Sequence, residues 1–293
     1  MDAVITYVNG MDPYWQEDYR QFVDETVNAK RFRDWGTLKY LLRGICTYMP
    51  FIENVFLVVA RESQIPDWAD TSALKIALHK DFIPERYLPV FNSNPIELFM
   101  HRIPGLDERF IYFNDDFFPL NICKEEDFFK DGKAVMSLSR QLLTFGMYRK
   151  ICANSYRVAR KAAGLSPTMS YERPQHTCAP MFKSLSESVF SKVQDDLEPT
   201  AESRVRNSDN VCQYVYTDYQ KIAGQTIDIR FSNRHFSLAA SSISEICRFI
   251  ENPDRKMACI NDVNFPDSQF LEMKSRLLRS FEKRLPDKSR FEL

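Results

Sequence analysis

The sequence predicts an α/β fold: a mostly parallel sheet with flanking helices to about residue 136, then a helix-rich half. Three observations lead there. Apolar runs of strand length recur at 3–8, 54–59, 74–78 and 110–113. Helical spacing separates them, most clearly at Leu38, Leu41, Leu42, Ile45 and Cys46. From about residue 137 onward the pattern is helix after helix, interrupted by one short strand.

Taken in order, residues 3–8 (AVITYV) read as a buried strand and residues 9–13 (NGMDP) as a turn. A strand followed at once by a polar turn is a common opening for a nucleotide-binding α/β sheet. The helix through Leu38 and Cys46 starts near Trp35, Gly36 and Thr37, and strands follow at 54–59 (NVFLVV) and 74–78 (LKIAL). Pro95 falls where a first helical turn belongs, ahead of residues 96–100, because a first-turn N–H has no partner to lose. The run 110–118 (FIYFNDDFF) then delivers Asn114, Asp115 and Asp116 at the end of a buried strand.

Beyond it, helices are expected at about 154–164, 183–194, 208–222, 241–251 and 267–284, and a strand at 226–231. Residues 198–202 (EPTAE) are the best loop candidate. Repeats, low-complexity tracts and linkers are absent from the sequence. Residues 1–293 are therefore expected to form one catalytic unit, with halves 1–136 and 137–293 meeting at the site.

Composition excludes several classes. A net charge of −1 leaves no electrostatic footprint for nucleic acid. Only eight glycines occur, and neither G-x-G-x-x-G nor a Walker A loop is present. Seven cysteines, an odd number without a C-x-x-C, support neither a disulfide framework nor a zinc knuckle and read as reduced thiols. The first residues lack the basic and apolar regions of a signal peptide, and no apolar run approaches about 18 residues. The expectation is a cytoplasmic protein, with peripheral contact at the inner face of the membrane left open. Oligomeric state is not legible.

The chemistry begins with Asp115 and Asp116. Two adjacent carboxylates ending a buried strand repel each other and resist ionisation, and a bound divalent cation relieves both problems. Oxygen ligands suit Mg²⁺ or Mn²⁺ carrying substrate phosphates. A surface turn that merely caps the next element is the alternative. Asn9, Gly10 and Asp12 could hold a nucleotide at a strand end, or simply form a turn. Arg31 and Arg33 flank Phe32 and could grip a diphosphate, or pair locally with Asp34 at a helix entrance. Asn92 and Ser93 suit sugar hydroxyls and helix capping equally.

His176 lies in a loop rich in turn residues, a better setting for proton transfer than a helical face, whereas His101 reads as structural. His79 and His235 carry weaker signals. Without an H-x-x-x-H or His/Cys clustering, transition-metal ligation is disfavoured. Residues 204–209 (RVRNSD) read as the opening of a helix, where Arg206 is a candidate phosphate ligand near the N-terminus, or Ser208 or Asp209 is a simple cap. Residues 259–262 (CIND) again end an apolar step with Asn-Asp, so Asn261 and Asp262 could complete a metal–diphosphate site.

Together these segments resemble the Stealth family of sugar-phosphate transferases, whose four conserved blocks are matched in order. The first is similar to residues 2–13. The second runs from residues 31–34 through 88–93 and 101–106 to Asn114, Asp115 and Asp116. The third resembles residues 176–184 followed by 204–209, and the fourth residues 259–262 with 285–292. Tyr7 stands where the family usually has Trp, and Asn9 where many members have Asp.

The resemblance implies a nucleotide-sugar-binding, glycosyltransferase-A-like mixed sheet completed by the helical half. It implies transfer of a hexose-1-phosphate from a UDP-sugar to an oligosaccharide or lipid-linked glycan hydroxyl, releasing UMP. Substrate binding would fall to Asn9, Gly10, Asp12, Arg31, Arg33, Asn92, Ser93 and Asn114. Metal binding would fall to Asp115, Asp116, Asn261 and Asp262. Arg206 would steady the transferred phosphoryl group, with His176 as base and Asp209 in reserve. A metal-dependent glycosyltransferase releasing UDP is the rival enzyme, and a carbohydrate-binding protein the rival of another class.

Overall fold

The computed structural model describes residues 1–23, 32–262 and 266–293. Its first half alternates strands and helices as the sequence predicts. The elements are β1 (Asp2–Thr6), α1 (Pro13–Phe22), α2 (Leu38–Tyr48), β2 (Asn54–Val59), β3 (Lys75–Leu78), α3 (His79–Phe82), α4 (Ser93–Phe99) and β4 (Arg109–Asn114). Asp12 caps α1 by accepting from the Tyr14 N–H, and Asn92 caps α4 through Asn94. Three short strands follow: β5 (Phe117–Pro119), β6 (Phe129–Lys130) and β7 (Lys133–Val135).

The second half is less purely helical than its sequence reads. It runs β8 (Leu138–Gln141), α5 (Met147–Ala162), β9 (Tyr171–Pro174), β10 (Ala179–Phe182), α6 (Lys183–Lys192) and α7 (Gln194–Ala201). Then come α8 (Tyr214–Ile222), β11 (Thr226–Ile227), β12 (Asn233–Ser237), α9 (Ile243–Glu251), β13 (Met257–Asn261) and α10 (Asp267–Arg284).

Three expectations fail here, the first being the strand expected at 226–231, which is cut to the two residues of β11. Residues 198–202, expected as a loop, lie largely inside α7, with Pro199 in its interior. That proline is exposed, and the bond it cannot make would run to Asp195, also exposed, where water can serve. The helix expected from 208 begins only at Tyr214. Side chains hold residues 203–210 open: Asn92 Nδ2 donates to Ser203 O at 3.1 Å and Asn210 Oδ1 at 2.8 Å, and Asn154 Nδ2 donates to Ser208 O at 3.0 Å. Such bonds compete with helical ones.

The main sheet has the order β10-β4-β1-β2-β3, parallel except for β10. Both faces are covered, so alternate residues enter different cores. Ala3, Ile5, Val55, Leu57, Ile111 and Phe113 join one; Val4, Phe56, Val58, Phe110 and Tyr112 join the other. A second sheet, β12-β13-β5, stands beside the first. Helix α2 lies against β5 so closely that a Cβ on Gly44 would meet Pro119 O at 2.5 Å.

Candidate active site

Strand β1 has β2 on one side and β4 on the other, so the chain reverses its order of addition there. In open α/β sheets, ligands bind in the crevice beyond the carboxyl ends of the strands at such a switch point. A cavity of about 1160 Å³ occupies that place. Thr6 and Tyr7 end β1 on its wall, and Asn114, Asp115 and Asp116 end β4 beside them. The two ends are tied through Tyr112, whose hydroxyl shares a hydrogen bond of 3.1 Å with Thr6 Oγ1 and donates to Asn114 Oδ1 at 2.7 Å.

The acidic pair forms the tight connection between β4 and β5, strands of two different sheets. Strand β13 pins it: Cys259 is in register with Phe117, and the Ile260 N–H donates to Asp116 O at 3.0 Å. Asn261 and Asp262, at the end of β13, therefore arrive at the same wall. This is a pinned corner, not a free surface turn.

Burial is the main force on the acidic pair. It lifts Asp115 to about 7, with Asp116 and Asp34 adding repulsion. It lifts Asp116 to about 6, partly offset by the Cys259 thiol 3.6 Å from Oδ2. Asp116 Oδ1 is buried without a hydrogen-bond partner. An orphaned carboxylate oxygen beside Asp115, Asn261 and Asp262 is the oxygen-rich donor set that a hard divalent cation takes. The residues fit Mg²⁺ or Mn²⁺.

Across the cavity, Arg206 donates to Ser93 Oγ and faces the buried Glu97, while its Nε is buried and unpartnered. Arg206 thus reaches the site from an open loop, not from a helix N-terminus as its sequence context predicts. His176 follows β9; its ring packs edge-on against Phe117 and His235. Burial first, then His235, lowers His176 to about 4, so its ring is neutral near pH 7. Asn261 is the hub here: Cys259 Sγ donates to its Oδ1 at 3.0 Å, and its side chain also engages both imidazoles.

The structure gathers Arg33, Asn92, Ser93, Asn114, Asp115, Asp116, His176, Arg206, Asn261 and Asp262 around this one cavity. Asn92 is on the wall, yet its amide is committed to Asn94, Ser203 and Asn210. Arg33 pairs with Asp267 and stacks on Phe270. Arg31 lies outside the described residues.

Four expected residues are not on the wall. Asp12 accepts from Ser63 Oγ and Gln64 Nε2, both at 2.7 Å, and Asn9 N donates to Gln64 Oε1 at 2.7 Å, so this turn buttresses the strand end from behind. Gly10 is needed for close approach, since a Cβ there would meet Phe32 O at 2.5 Å. Asp209 is exposed on the 203–210 loop.

Sequence reasoning missed Asp34 and Glu97 as cavity groups and undervalued His235. The spacing argument against transition-metal ligation also fails for one set. His176, His235 and Cys259 bring ligating atoms within 4.8 Å of one another, because β12 places His235 in register with Cys259. Strand β12 is short and polar (NRHFS), so no periodicity announced that pairing.

Comparisons with known proteins now define the class. An exopolysaccharide phosphotransferase of Lactiplantibacillus plantarum is 30% identical over 100% of this chain and 96% of its own length. A receptor polysaccharide phosphotransferase of Streptococcus oralis is 30% identical over 100% and 99%. A capsular polysaccharide phosphotransferase of Haemophilus influenzae is 31% identical over 92% and 80%. The profile of Stealth protein conserved region 2 matches residues 31–136. The chain belongs to the Stealth family of phosphotransferases. Among solved structures, a galactosyltransferase in complex with donor and acceptor sugar analogues matches 94% of this chain and 95% of its own, with 8% identity and a TM-score of 0.39. Among the described residues, no helix is long and apolar enough to cross a membrane.

Proposed function

We propose that this chain transfers hexose-1-phosphate, such as N-acetylhexosamine-1-phosphate, from a UDP-sugar to a hydroxyl of an acceptor glycan in surface polysaccharide synthesis. The observation that carries the proposal is the buried, repelling pair Asp115 and Asp116, with an orphaned oxygen, in one cavity with Arg206 and a neutral His176. Metal-held diphosphate chemistry suits such a pair. The relatives' names as polysaccharide phosphotransferases support it.

The acceptor oxygen forms a bond to the phosphorus beside the sugar, and the bond from that phosphorus to the bridging oxygen breaks. UMP leaves with the bridging oxygen and its electron pair. The anomeric C–O bond is untouched, so donor configuration persists. The hydroxyl proton passes to a ring nitrogen of His176, neutral and able to accept it. Arg206, held by Ser93, stabilises negative charge on the transferred group. Mg²⁺ or Mn²⁺, held by Asp115, Asp116, Asn261 and Asp262, would neutralise diphosphate charge. Residues 1–136 and 137–293 act as one catalytic unit, each supplying part of the wall.

The test is the identity of the released nucleotide from a panel of UDP-sugars with oligosaccharide acceptors, with Mg²⁺ and then EDTA. UMP with a new phosphodiester ³¹P signal, lost in EDTA, is expected. UDP release would overturn phosphoryl transfer in favour of glycosyl transfer.

A further inference from the structure

We infer that the face built by residues 137–171 docks the protein onto an anionic lipid bilayer beside its own cavity. Its apolar side chains point outward: Met169 is 95% exposed, Phe145 78%, Leu142 70% and Leu143 58%. Two chain segments bring them together. Strand β8 pairs with β9 up to Gln141 and Tyr171, and the Tyr171 hydroxyl donates to Leu143 O at 2.9 Å. Residues 142–146 and 165–170 therefore leave the same end of one ribbon.

Charge identifies the occupant. Residues 137–171 hold six Arg or Lys (140, 149, 150, 157, 160 and 161) and no Asp or Glu, in a chain whose net charge is −1. Among the described residues, Lys161 alone of these six is paired with a carboxylate, that of Asp196. Lys150, Arg157 and Lys161 are exposed on α5, and their spacing of seven and four residues puts them within about 20° of one line. Cations without carboxylates on a helix, beside loops that expose Leu142, Leu143, Phe145 and Met169, suit an anionic membrane surface, the loops entering its interface and the cations meeting its headgroups.

The patch is continuous with the site. Met147, Tyr148 and Ile151, on the first turns of α5, line the cavity, as do Leu138 and Ser139 of β8. A bilayer seated on this face would present a lipid-linked glycan to the cavity wall. That acceptor class rests on the phosphotransferase reading; the docking itself does not.

Vesicle co-sedimentation without donor or metal separates the two. The protein should bind vesicles of about 30% phosphatidylglycerol in phosphatidylcholine and ignore pure phosphatidylcholine, each basic side chain adding roughly fivefold to partition. Raising salt from 0.1 to 1 M, which shortens the screening length from about 10 to about 3 Å, should release it. Leu142→Ser/Leu143→Ser/Phe145→Ser and, separately, Lys150→Glu/Arg157→Glu should each cut partition at least about tenfold. Both should leave thermal stability and transfer to a soluble acceptor unchanged. Absence of anionic-vesicle binding, or binding that both variants retain, would overturn the inference. A concentration-dependent dimer lost in the variants would also overturn it, assigning the face to a second copy.

Discussion

Replacing Asp116 with Asn should stabilise the metal-free protein while abolishing transfer. The ordinary pKa of 3.8 becomes about 6 in the folded chain, chiefly through burial. An acid raised in this way destabilises the fold once ionised, and the penalty grows from pH 3.8 upward and levels off above about 6. At about 1.4 kcal/mol per pH unit, the gap from 3.8 to 6 gives at most about 3 kcal/mol near pH 7.5. The Asn amide must find an acceptor in place of the orphaned Oδ1, and the Cys259 thiol loses a carboxylate, so about 2 kcal/mol is the expected gain. For a chain of 293 residues that is about 3 °C in Tm. Thermal unfolding in EDTA near pH 7.5 reads it, and near pH 5 the advantage should fall to about a third. Millimolar Mg²⁺ should then raise the wild type and not the variant, because binding only the folded state adds stability. A variant no more stable than wild type in EDTA, or a gain indifferent to pH, would refute the account of the acidic pair.

Three further outcomes are expected. His176→Ala should lower turnover about 10²–10⁴-fold while leaving donor affinity nearly unchanged, read by steady-state kinetics against donor-binding calorimetry. Glu282→Ala/Glu292→Ala should cost about 3–5 kcal/mol in urea unfolding, since Arg43 is only 5% exposed and meets these two carboxylates at 3.1 and 2.8 Å. His79 is held neutral by burial, its pKa lowered from 6.5 to about 3, so its contribution is full above pH 6.5 and is lost as pH falls from there toward 3. Wild type should therefore lose about 2 kcal/mol between pH 7 and 5 that His79→Gln does not, measured as the difference in urea midpoints.

The first half was legible because burial on both sheet faces leaves long apolar strands, such as 54–59 and 110–113, that no other structure explains. The acidic pair was legible for the same reason, as charge at the end of such a run. Strands β8, β9, β12 and β13 were not, being short and partly polar, with identities set by register to distant partners. That is why His235 went undervalued. The helix expected at 208 lost to the amides of Asn92 and Asn154, which no local pattern discloses. The turn at Asn9, Gly10 and Asp12 looks equally apt for ligand or scaffold in sequence, and Gln64, 52 residues beyond Asp12, decides for scaffold.

The corner at Asp116 is closed by β13, whose Asn261 follows 145 residues later. At about 5–20 residues per second, a ribosome needs roughly 7–30 s to cover that distance. During this interval the connection that carries Asp115 and Asp116 lacks the strand that closes it. A nascent chain thus carries Asp115 and Asp116 long before the Asn261 and Asp262 that complete their wall.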